Sequence, residues 1–395
     1  MLQQRTPEQT MLADGVERFV REYGRFEQWR RLTADGMAFD EANWQRMADM
    51  GWLALGIPEE WGGMGASAAE AMIVGEGMGR GLLREPFVSS CVLAARLLAK
   101  AGSPAQCKLL GGIADGSVRI AVALAEAGGR FHLNSVGTRA AAMGSRFRLD
   151  GRKSWVPDGS TAHWFIVPAR TCGCEGDASG ISLFLLPADT PGLQRTDFRS
   201  PDHQHLSQLQ LHNVELDAAA LLGPLHEGLA LLEYGVEHAI AVRLAEACGA
   251  MDAVCDMTLN YLKLRKQFGT TIGSFQALQH RMVDMCIACE EARSMLQLAL
   301  HGLEASVPER QKSIAAAKAR VGQCGLYVGY QAVQLHGGVG TSDELAVSHY
   351  LKRLIMIDTA FGNADFQRAR FIALSDTDLP KELAQASEPV LKGLA

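Results

Sequence analysis

The spacing of the apolar residues changes twice along the chain and predicts three parts. As far as about Val118, apolar positions recur every three or four residues, which is the spacing of amphipathic helices. From Arg119 the period falls to two, in short runs separated by Gly, Asp and Pro, which predicts strands. From Glu227 the helical period returns in long stretches. The predicted parts are an N-terminal helical domain, a β domain and a C-terminal helical domain, at 1–118, 119–224 and 225–395.

Each part has a predicted architecture. The short runs of the middle part predict a small antiparallel β barrel or sandwich. Long amphipathic segments with short connections predict a C-terminal four-helix bundle, at 229–264, 275–303, 310–335 and 344–357. The fold class is therefore α+β with several domains, as expected for 395 residues. The first helix is predicted to begin after Thr6, because Thr6 suits the N-cap, Pro7 the N1 position and Gln9 the N3 position.

A polar turn between the first two helices of the bundle carries candidate binding chemistry. The first helix is predicted to stop at Gly269, and Ser274 is predicted to cap the next one. Arg265, Gln267 and Gln276 would then cluster at a helix end, a turn and a helix start. A guanidinium, amides and the free N–H groups of a helix N-terminus suit an anionic ligand such as a pyrophosphate. A solvated corner without any ligand is the alternative that the same pattern leaves open.

Composition and charge limit the classes of function. With 48% hydrophobic and 21% charged residues, the chain is typical of globular proteins. Its formal charge of -6 gives no basic footprint for nucleic acid or for an anionic membrane. No apolar run reaches the roughly 20 residues that span a bilayer. Residues 1–5 are not followed by the apolar core of a signal peptide, so we expect a cytoplasmic location.

Two close pairs of cysteines could be mistaken for metal or redox sites. Cys172 and Cys174 lie in a Gly-rich loop without neighbouring histidines, and Cys286 and Cys289 fall within a predicted helix among apolar residues. Cysteine most often acts as a small, buried hydrophobic side chain, and cytosolic thiols stay reduced. The sequence therefore predicts neither a metal site nor a dithiol centre.

Two motifs in a fixed order resemble the acyl-CoA dehydrogenase family of flavoproteins. The first runs from Arg265 to Gln276 as RKQFGTTIGSFQ, and the second runs from Gln334 to Gly340 as QLHGGVG. The resemblance extends over the whole chain and is closest to the small-subunit type of pimeloyl-CoA dehydrogenases. It implies FAD as cofactor, an acyl-CoA substrate, a tetrameric assembly and electron-transfer flavoprotein as the electron acceptor.

The resemblance also implies which residues contact the cofactor. The pyrophosphate and adenine half of a neighbouring subunit's FAD would be held by residues of the two motifs, namely Arg265, Gln267, Phe268, Phe275, Gln276, Gln334, Gly337 and Gly338. Glycines suit that role because a backbone without Cβ can approach a phosphate closely. A plain interhelical turn is the alternative for these glycines. Trp155 would pack on the flavin ring, and Asn363 and Asp365 would also belong to the cofactor site.

The chain departs from the family near the flavin ring and at the catalytic base. Pro157 stands where relatives have a threonine that faces flavin N5, and proline offers neither a hydroxyl nor an N–H. Ala125 and Phe131 replace a threonine and a serine used near the flavin and the acyl thioester. Most relatives carry a glutamate, the base that takes the α-proton, at the position of Phe361. Phenylalanine cannot accept a proton.

No other residue is a convincing substitute for the missing base. A minority of relatives place the glutamate at the position of Ala239. Glu237 lies two residues away, roughly 200° around a helix, and would face another direction. His238 and Asp365 are equally weak candidates, so the sequence leaves the α-proton acceptor unassigned.

Two interpretations of function remain open from the sequence. In the first, the chain is an FAD-dependent dehydrogenase that introduces an α,β double bond into a dicarboxylyl or bulky acyl-CoA and uses a relocated base. In the second, it is the base-deficient partner of a related large subunit and completes a shared FAD site, which makes the assembly a heterotetramer instead of a homotetramer. A flavin oxidase or monooxygenase on the same fold is a distant third.

Overall fold

The N-terminal part of the protein is helical in the computed structural model, which describes residues 5–376. The end of the domain predicted at 225–395 therefore lies outside the described residues. The helix start predicted at Thr6 is confirmed, because Thr6 Oγ1 accepts the Gln9 N–H and the Thr6 N–H donates to Gln9 Oε1. Seven α-helices are described before the first strand: α1 (Pro7–Tyr23), α2 (Phe26–Ala34), α3 (Glu41–Asp49), α4 (Ala68–Gly81), α5 (Ala95–Ala101), α6 (Pro104–Cys107) and α7 (Leu109–Ala114).

The middle part is a single eight-stranded sheet with the order β6-β7-β3-β2-β4-β5-β8, and β1 pairs with β4. The strands are β1 (Ile120–Val122), β2 (Arg139–Met143), β3 (Arg146–Pro157), β4 (Trp164–Arg170), β5 (Ile181–Pro187), β6 (Leu193–Arg199), β7 (His205–Asp217) and β8 (Leu221–Leu222). The prediction that the sheet is antiparallel is wrong at β4, which pairs in parallel with β1 and, at its end, with β2. Neither strand is joined to β4 by a hairpin, so no tight turn reverses their direction.

The two arms of the sheet pack against each other, as in the predicted sandwich. Leu149 and Leu209 from β3 and β7 share one buried core with Phe165 and Phe184 from β4 and β5. The rings of Phe147 and Phe184 lie 5.1 Å apart across this core. β3 and β7 mix buried and exposed residues because one of their faces enters this core, whereas β4 and β5 are buried over nearly their whole length.

The C-terminal part contains more helices than the pattern predicts. The helices are α8 (Gly228–Leu264), α9 (Gln276–Leu303), α10 (Val307–His336), α11 (Ala346–Thr359) and α12 (Ala364–Asp376), and a short hairpin of β9 (Lys266–Gln267) and β10 (Thr270–Thr271) joins α8 to α9. The four predicted helices of the bundle are confirmed, and α12 packs on α10 as a fifth helix that the pattern did not predict. The apolar residues of α12 form no clear stripe, so periodicity did not reveal it.

Two glycines allow α4 of the N-terminal part to pack directly on α8. A Cβ on Gly79 would lie 1.8 Å from the Glu246 carbonyl oxygen, and one on Gly249 would lie 1.9 Å from that of Glu76. No larger residue fits at either position without separating the helices. This close crossing joins the N-terminal and C-terminal helices in one continuous apolar core. None of the helices within residues 5–376 combines the length and apolar character that a membrane crossing requires.

Candidate active site

The polar turn between α8 and α9 differs from its predicted form. α8 ends at Leu264, before Gly269 is reached, because the following residues extend and pair in the β9–β10 hairpin. The predicted helix stop at Gly269 is therefore wrong, and Gly269 takes φ +79 in the hairpin turn. Ser274 does not cap α9, which begins at Gln276, because the Ser274 hydroxyl donates to the Thr271 carbonyl at 2.7 Å.

The side chains predicted to hold a pyrophosphate lie on this hairpin and at the start of α9. Arg265, Gln267 and Gln276 are exposed. Phe268 is 90% exposed and Phe275 is 38% exposed, and their ring centroids lie 6.2 Å apart. The two aromatic rings and the Arg265 guanidinium are thus open to solvent at one end of the bundle. We call these five residues the arginine corner.

The glycine bend, Gly337 and Gly338, follows α10 on the same side of the bundle as the arginine corner. Tyr261, one turn before the corner, stacks on His336, the last residue of α10. Gly337 takes φ +64, which requires glycine. A Cβ on Gly338 would meet no atom within 4 Å, so packing within the chain does not require glycine there. Open space therefore lies in front of this backbone, and Gln334 is exposed nearby.

The residues predicted to lie near the flavin ring, Trp155 and Pro157, are at the end of β3. Trp155 takes φ +49 and is 51% exposed, and its ring meets Phe198 edge-on at 5.6 Å. Pro157 ends the strand, and the Ser89 hydroxyl donates to the Asp158 carboxylate at 2.5 Å. Burial raises the pKa of Asp158, and the hydrogen bond from Ser89 opposes that rise. The indole is accessible to a flavin, but the residues after it supply no side-chain hydroxyl where relatives have one.

The turn between α11 and α12 holds the position of the family's usual base. Phe361 occupies this position with φ +57, and its partly buried side chain packs against the helical core. Asn363 Oδ1 accepts the Phe366 N–H at 3.0 Å and so caps α12. Asp365 is exposed and forms an ion pair with Arg368 at 2.6 Å. Asn363 Oδ1 and one carboxylate oxygen of Asp365 are therefore engaged with residues of α12.

The remaining candidate bases on α8 are also committed to other contacts. The Glu237 side chain is 1% exposed, with Arg310 Nε at 2.6 Å and Arg370 Nη2 at 3.3 Å. Burial, and next the nearby Arg96 guanidinium, lower the pKa of His238 to about 4, while its hydrogen bond to the Tyr234 carbonyl opposes the shift. A doubly paired carboxylate and a weakly basic imidazole are both poor acceptors for an α-proton.

An ion pair between Lys153, on β3, and Glu126 was not predicted from the sequence. The Lys153 side chain is fully buried, and its Nζ lies 2.5 Å from Glu126 Oε1. Burial alone would raise the pKa of Glu126, but the Lys153 ammonium and hydrogen bonds from Lys153 and Thr138 lower it overall. The available signal was a lysine at a buried position of the alternating strand β3. Arg310 and Arg370 had no such signal, because long-range partners leave no trace in local spacing.

The cysteine pairs have different surroundings from those predicted. Cys172 does have a histidine neighbour, because Sγ lies 3.4 Å from Nδ1 of His226, which is remote in sequence. Cys289 contacts Cys255, with their sulfur atoms 3.6 Å apart. No group of three or more potential metal ligands occurs in residues 5–376.

Three family descriptions match successive parts of the chain. They are the acyl-CoA dehydrogenase N-terminal domain over 6–117, the middle domain over 121–214 and the C-terminal domain over 226–373. Acyl-CoA dehydrogenase FadE27 of Mycobacterium tuberculosis is 31% identical over 352 residues, which cover 87% of this chain and 90% of FadE27. Probable acyl-CoA dehydrogenase YngJ of Bacillus subtilis is 29% identical over 336 residues, covering 84% and 88%.

Two solved structures are similar to this chain over nearly its full length. A chain of the ChsE4-ChsE5 complex from Mycobacterium tuberculosis has a TM-score of 0.86 and 29% identity, covering 95% of this chain and 99% of that chain. A chain of a variant of the Tcur3481-Tcur3483 steroid ACAD has a TM-score of 0.84 and 29% identity, covering 94% and 98%. Because the three domain descriptions together span residues 6–373 and the relatives match most of the chain, this chain belongs to the acyl-CoA dehydrogenase family of FAD-dependent oxidoreductases.

Proposed function

We propose that this chain is the base-deficient subunit of a heteromeric FAD-dependent acyl-CoA dehydrogenase and completes the FAD site of a related large subunit. The observation that carries the proposal is the state of every candidate base. Phe361 stands at the usual position, Glu237 is paired with two arginines, and Asp365 is paired on the surface. The α-proton of the substrate is then taken by a glutamate of the related subunit.

The arginine corner supports a role toward a neighbouring subunit. Its residues face away from the body of this chain, so a nucleotide held there needs a second protein surface to cover it. Arg265 would bind the pyrophosphate, the backbone at Gly338 would approach a phosphate, and Phe268 would lie against the adenine half. When bound, FAD supplies the acceptor for the β-hydrogen of the CoA thioester, which leaves as hydride.

An exposed apolar groove beside the arginine corner supports docking of that subunit. It encloses about 750 Å³ between α8 and α9 and is lined by Leu259, Met282, Val283 and Ile287, among others. Val283 is 55% exposed and Ile287 is 53% exposed. Apolar side chains on the outside of a helix bundle are typical of subunit contacts. The groove is continuous with the hairpin through Gly273, so one partner can cover both.

The similar structures favour a two-protein assembly and a bulky acyl group. ChsE4-ChsE5 and Tcur3481-Tcur3483 are both named as pairs, and the second is named a steroid enzyme. We extend both properties to this chain as part of the proposal, with a heterotetramer as the assembly. Electron-transfer flavoprotein is the expected acceptor, and nine free cysteines fit the reducing cytoplasm.

The proposal is tested by comparing the chain purified alone with the chain purified after coexpression with the related subunit. We expect the isolated chain to be colourless, and the complex to carry FAD whose visible absorbance is bleached by an acyl-CoA. An isolated chain that retains FAD and is bleached by acyl-CoA would instead establish the independent dehydrogenase with a relocated base. Substrate-dependent hydrogen peroxide from the isolated chain would favour the oxidase interpretation.

A further inference from the structure

The segment 127–137, between β1 and β2, is a strap that is fastened at its base by one carboxylate. Glu126 accepts the N–H of Gly137 at 2.7 Å and the N–H of Thr138 at 3.1 Å, so the two ends of the strap meet. The buried Lys153 fixes the same carboxylate to β3 at 2.5 Å. A partly buried carboxylate held by two N–H groups and a buried ammonium is a strong local anchor.

The tip of the strap contacts α12. The Phe131 ring lies 5.4 Å from the Phe366 ring, and the His132 ring lies 5.0 Å from it. Phe366 in turn covers the turn that precedes α12, because a Cβ on Gly362 would lie 2.4 Å from Phe366 Cδ1. The strap thus reaches, through one phenylalanine, the turn that contains Phe361.

The other flank of the strap is pinned to the loop between β4 and β5. The Asn134 side-chain amide donates to the Gly176 carbonyl at 2.6 Å, and the Ser135 hydroxyl donates to Glu175 at 2.8 Å. Arg170 Nη2 donates to the Asn134 carbonyl at 2.8 Å. Hydrogen bonds at the base and flank of the strap, and ring contacts at its tip, therefore leave it little freedom to move away from α12.

We infer that the strap and Phe366 form an aromatic seal that excludes a CoA thioester from the Phe361 turn of this chain. The inference rests on the proposed function, because a subunit without a base gains nothing from binding substrate at its own turn. Ring centroids 5.0 and 5.4 Å apart are in van der Waals contact, which leaves no gap for a carbonyl or sulfur between them. Phe131, His132 and Phe366 therefore decide which subunit takes the acyl-CoA.

Binding of acetyl-CoA and octanoyl-CoA to the purified full-length chain, measured by calorimetry, tests the seal directly. We expect no saturable binding to the wild-type chain, and binding of at least one of the two thioesters at one per chain to both F131S and F366A. F371A is the matched control, because Phe371 is also on α12 but is 38% exposed and has no contact with the strap in the described aromatic pairs. It is expected to behave as wild type.

Two outcomes would overturn the inference. One is wild-type binding as tight as that of F366A, and the other is a folded F131S or F366A chain, by circular dichroism, that binds neither thioester. E126Q provides a second route that leaves the aromatic residues in place: it should raise amide hydrogen exchange at least tenfold in 127–137 and admit a thioester. None of these readouts depends on FAD, so a flavin-bearing isolated chain would defeat the proposed function without deciding whether the seal exists.

Discussion

Tyr261 stacks on His336, with ring centroids 4.4 Å apart and planes inclined by 26°, and the Tyr261 hydroxyl donates to the His336 carbonyl at 3.4 Å. Tyr261 lies one helical turn before Arg265, and His336 directly precedes Gly337. One contact therefore holds the arginine corner and the glycine bend together at neighbouring ends of α8 and α10. A dinucleotide phosphate that touches both motifs depends on this alignment, although neither ring needs to contact it.

Replacing Arg265 with alanine should weaken FAD binding to the complex of this chain with its related subunit. One charged hydrogen-bonded contact is lost, which corresponds to about 1.5–3 kcal/mol, or roughly a tenfold to 150-fold higher Kd. Titration of the FAD-depleted complex with FAD measures the effect. K266A removes an exposed cation at the next residue and serves as the control, with an expected change below about threefold. Equal Kd values for R265A and wild type would place Arg265 away from the pyrophosphate.

Glu237→Gln separates a structural carboxylate from a catalytic one. Arg310 and Arg370 would lose their shared buried partner, so we expect the free energy of unfolding to fall by about 3–5 kcal/mol. The kcat of the complex, measured below the melting temperature, should change little, whereas loss of a catalytic base costs about 10²–10⁴-fold. Urea unfolding and steady-state kinetics on the same preparation give both numbers. A large fall in kcat with unchanged stability would restore Glu237 as the base.

The spacing of apolar residues predicted those helices and strands that have one apolar and one polar face. The segment predicted at 310–335 is observed as Val307–His336, because its apolar residues form one regular stripe toward α8 and α9. α12 was missed because it lies at the rim of the bundle, where Phe366 and Phe371 point to different surroundings. The parallel pairing of β1 with β4 was also missed, since strand direction depends on the path of the chain and not on alternation.

In the candidate site, too, residues in short motifs could be predicted from the sequence, whereas contacts between distant residues could not. Arg265 could be named because it lies at a turn between two predicted helices, and Gly338 because its motif resembles one of the family. The pairing of Glu237 could not be predicted from the sequence, because its partners Arg310 and Arg370 are on two other helices. Whether a carboxylate is a free base or half of an ion pair is decided by tertiary packing, which one sequence does not encode in its spacing.

Glu85→Gln should stabilise the protein at high pH and have little effect at low pH. Burial raises the pKa of Glu85 to about 7, from 4.5, with smaller contributions from its hydrogen bonds and neighbouring charges. Because the folded pKa is the higher one, the stability that this proton contributes is present below 4.5 and is lost as the pH rises through 7. The shift corresponds to about 3 kcal/mol. Urea unfolding should show E85Q more stable than wild type by up to that amount at about pH 8.5. An equal gain at about pH 4.5 would exclude this explanation.

His238→Gln should change the pH dependence of stability in the opposite direction. Burial lowers the pKa of His238 to about 4, from 6.5, so its contribution is present above 6.5 and is lost as the pH falls through 4. The Glu85 and His238 windows overlap with opposite slopes, so these two contributions to the wild-type profile largely cancel between about pH 4.5 and 6.5.

Each single variant then exposes the other group. Between about pH 4.5 and 6.5, and relative to wild type, the free energy of unfolding should fall with rising pH in H238Q, as Glu85 ionises in the unfolded chain. Relative to wild type it should rise in E85Q, as His238 loses its proton in the unfolded chain. Each difference in slope approaches about 1.4 kcal/mol per pH unit. Urea unfolding across this range measures both, and E85Q/H238Q together should restore the wild-type slope. If the free energy of unfolding changed with pH in the same way in both single variants, groups other than Glu85 and His238 would govern stability in this pH range.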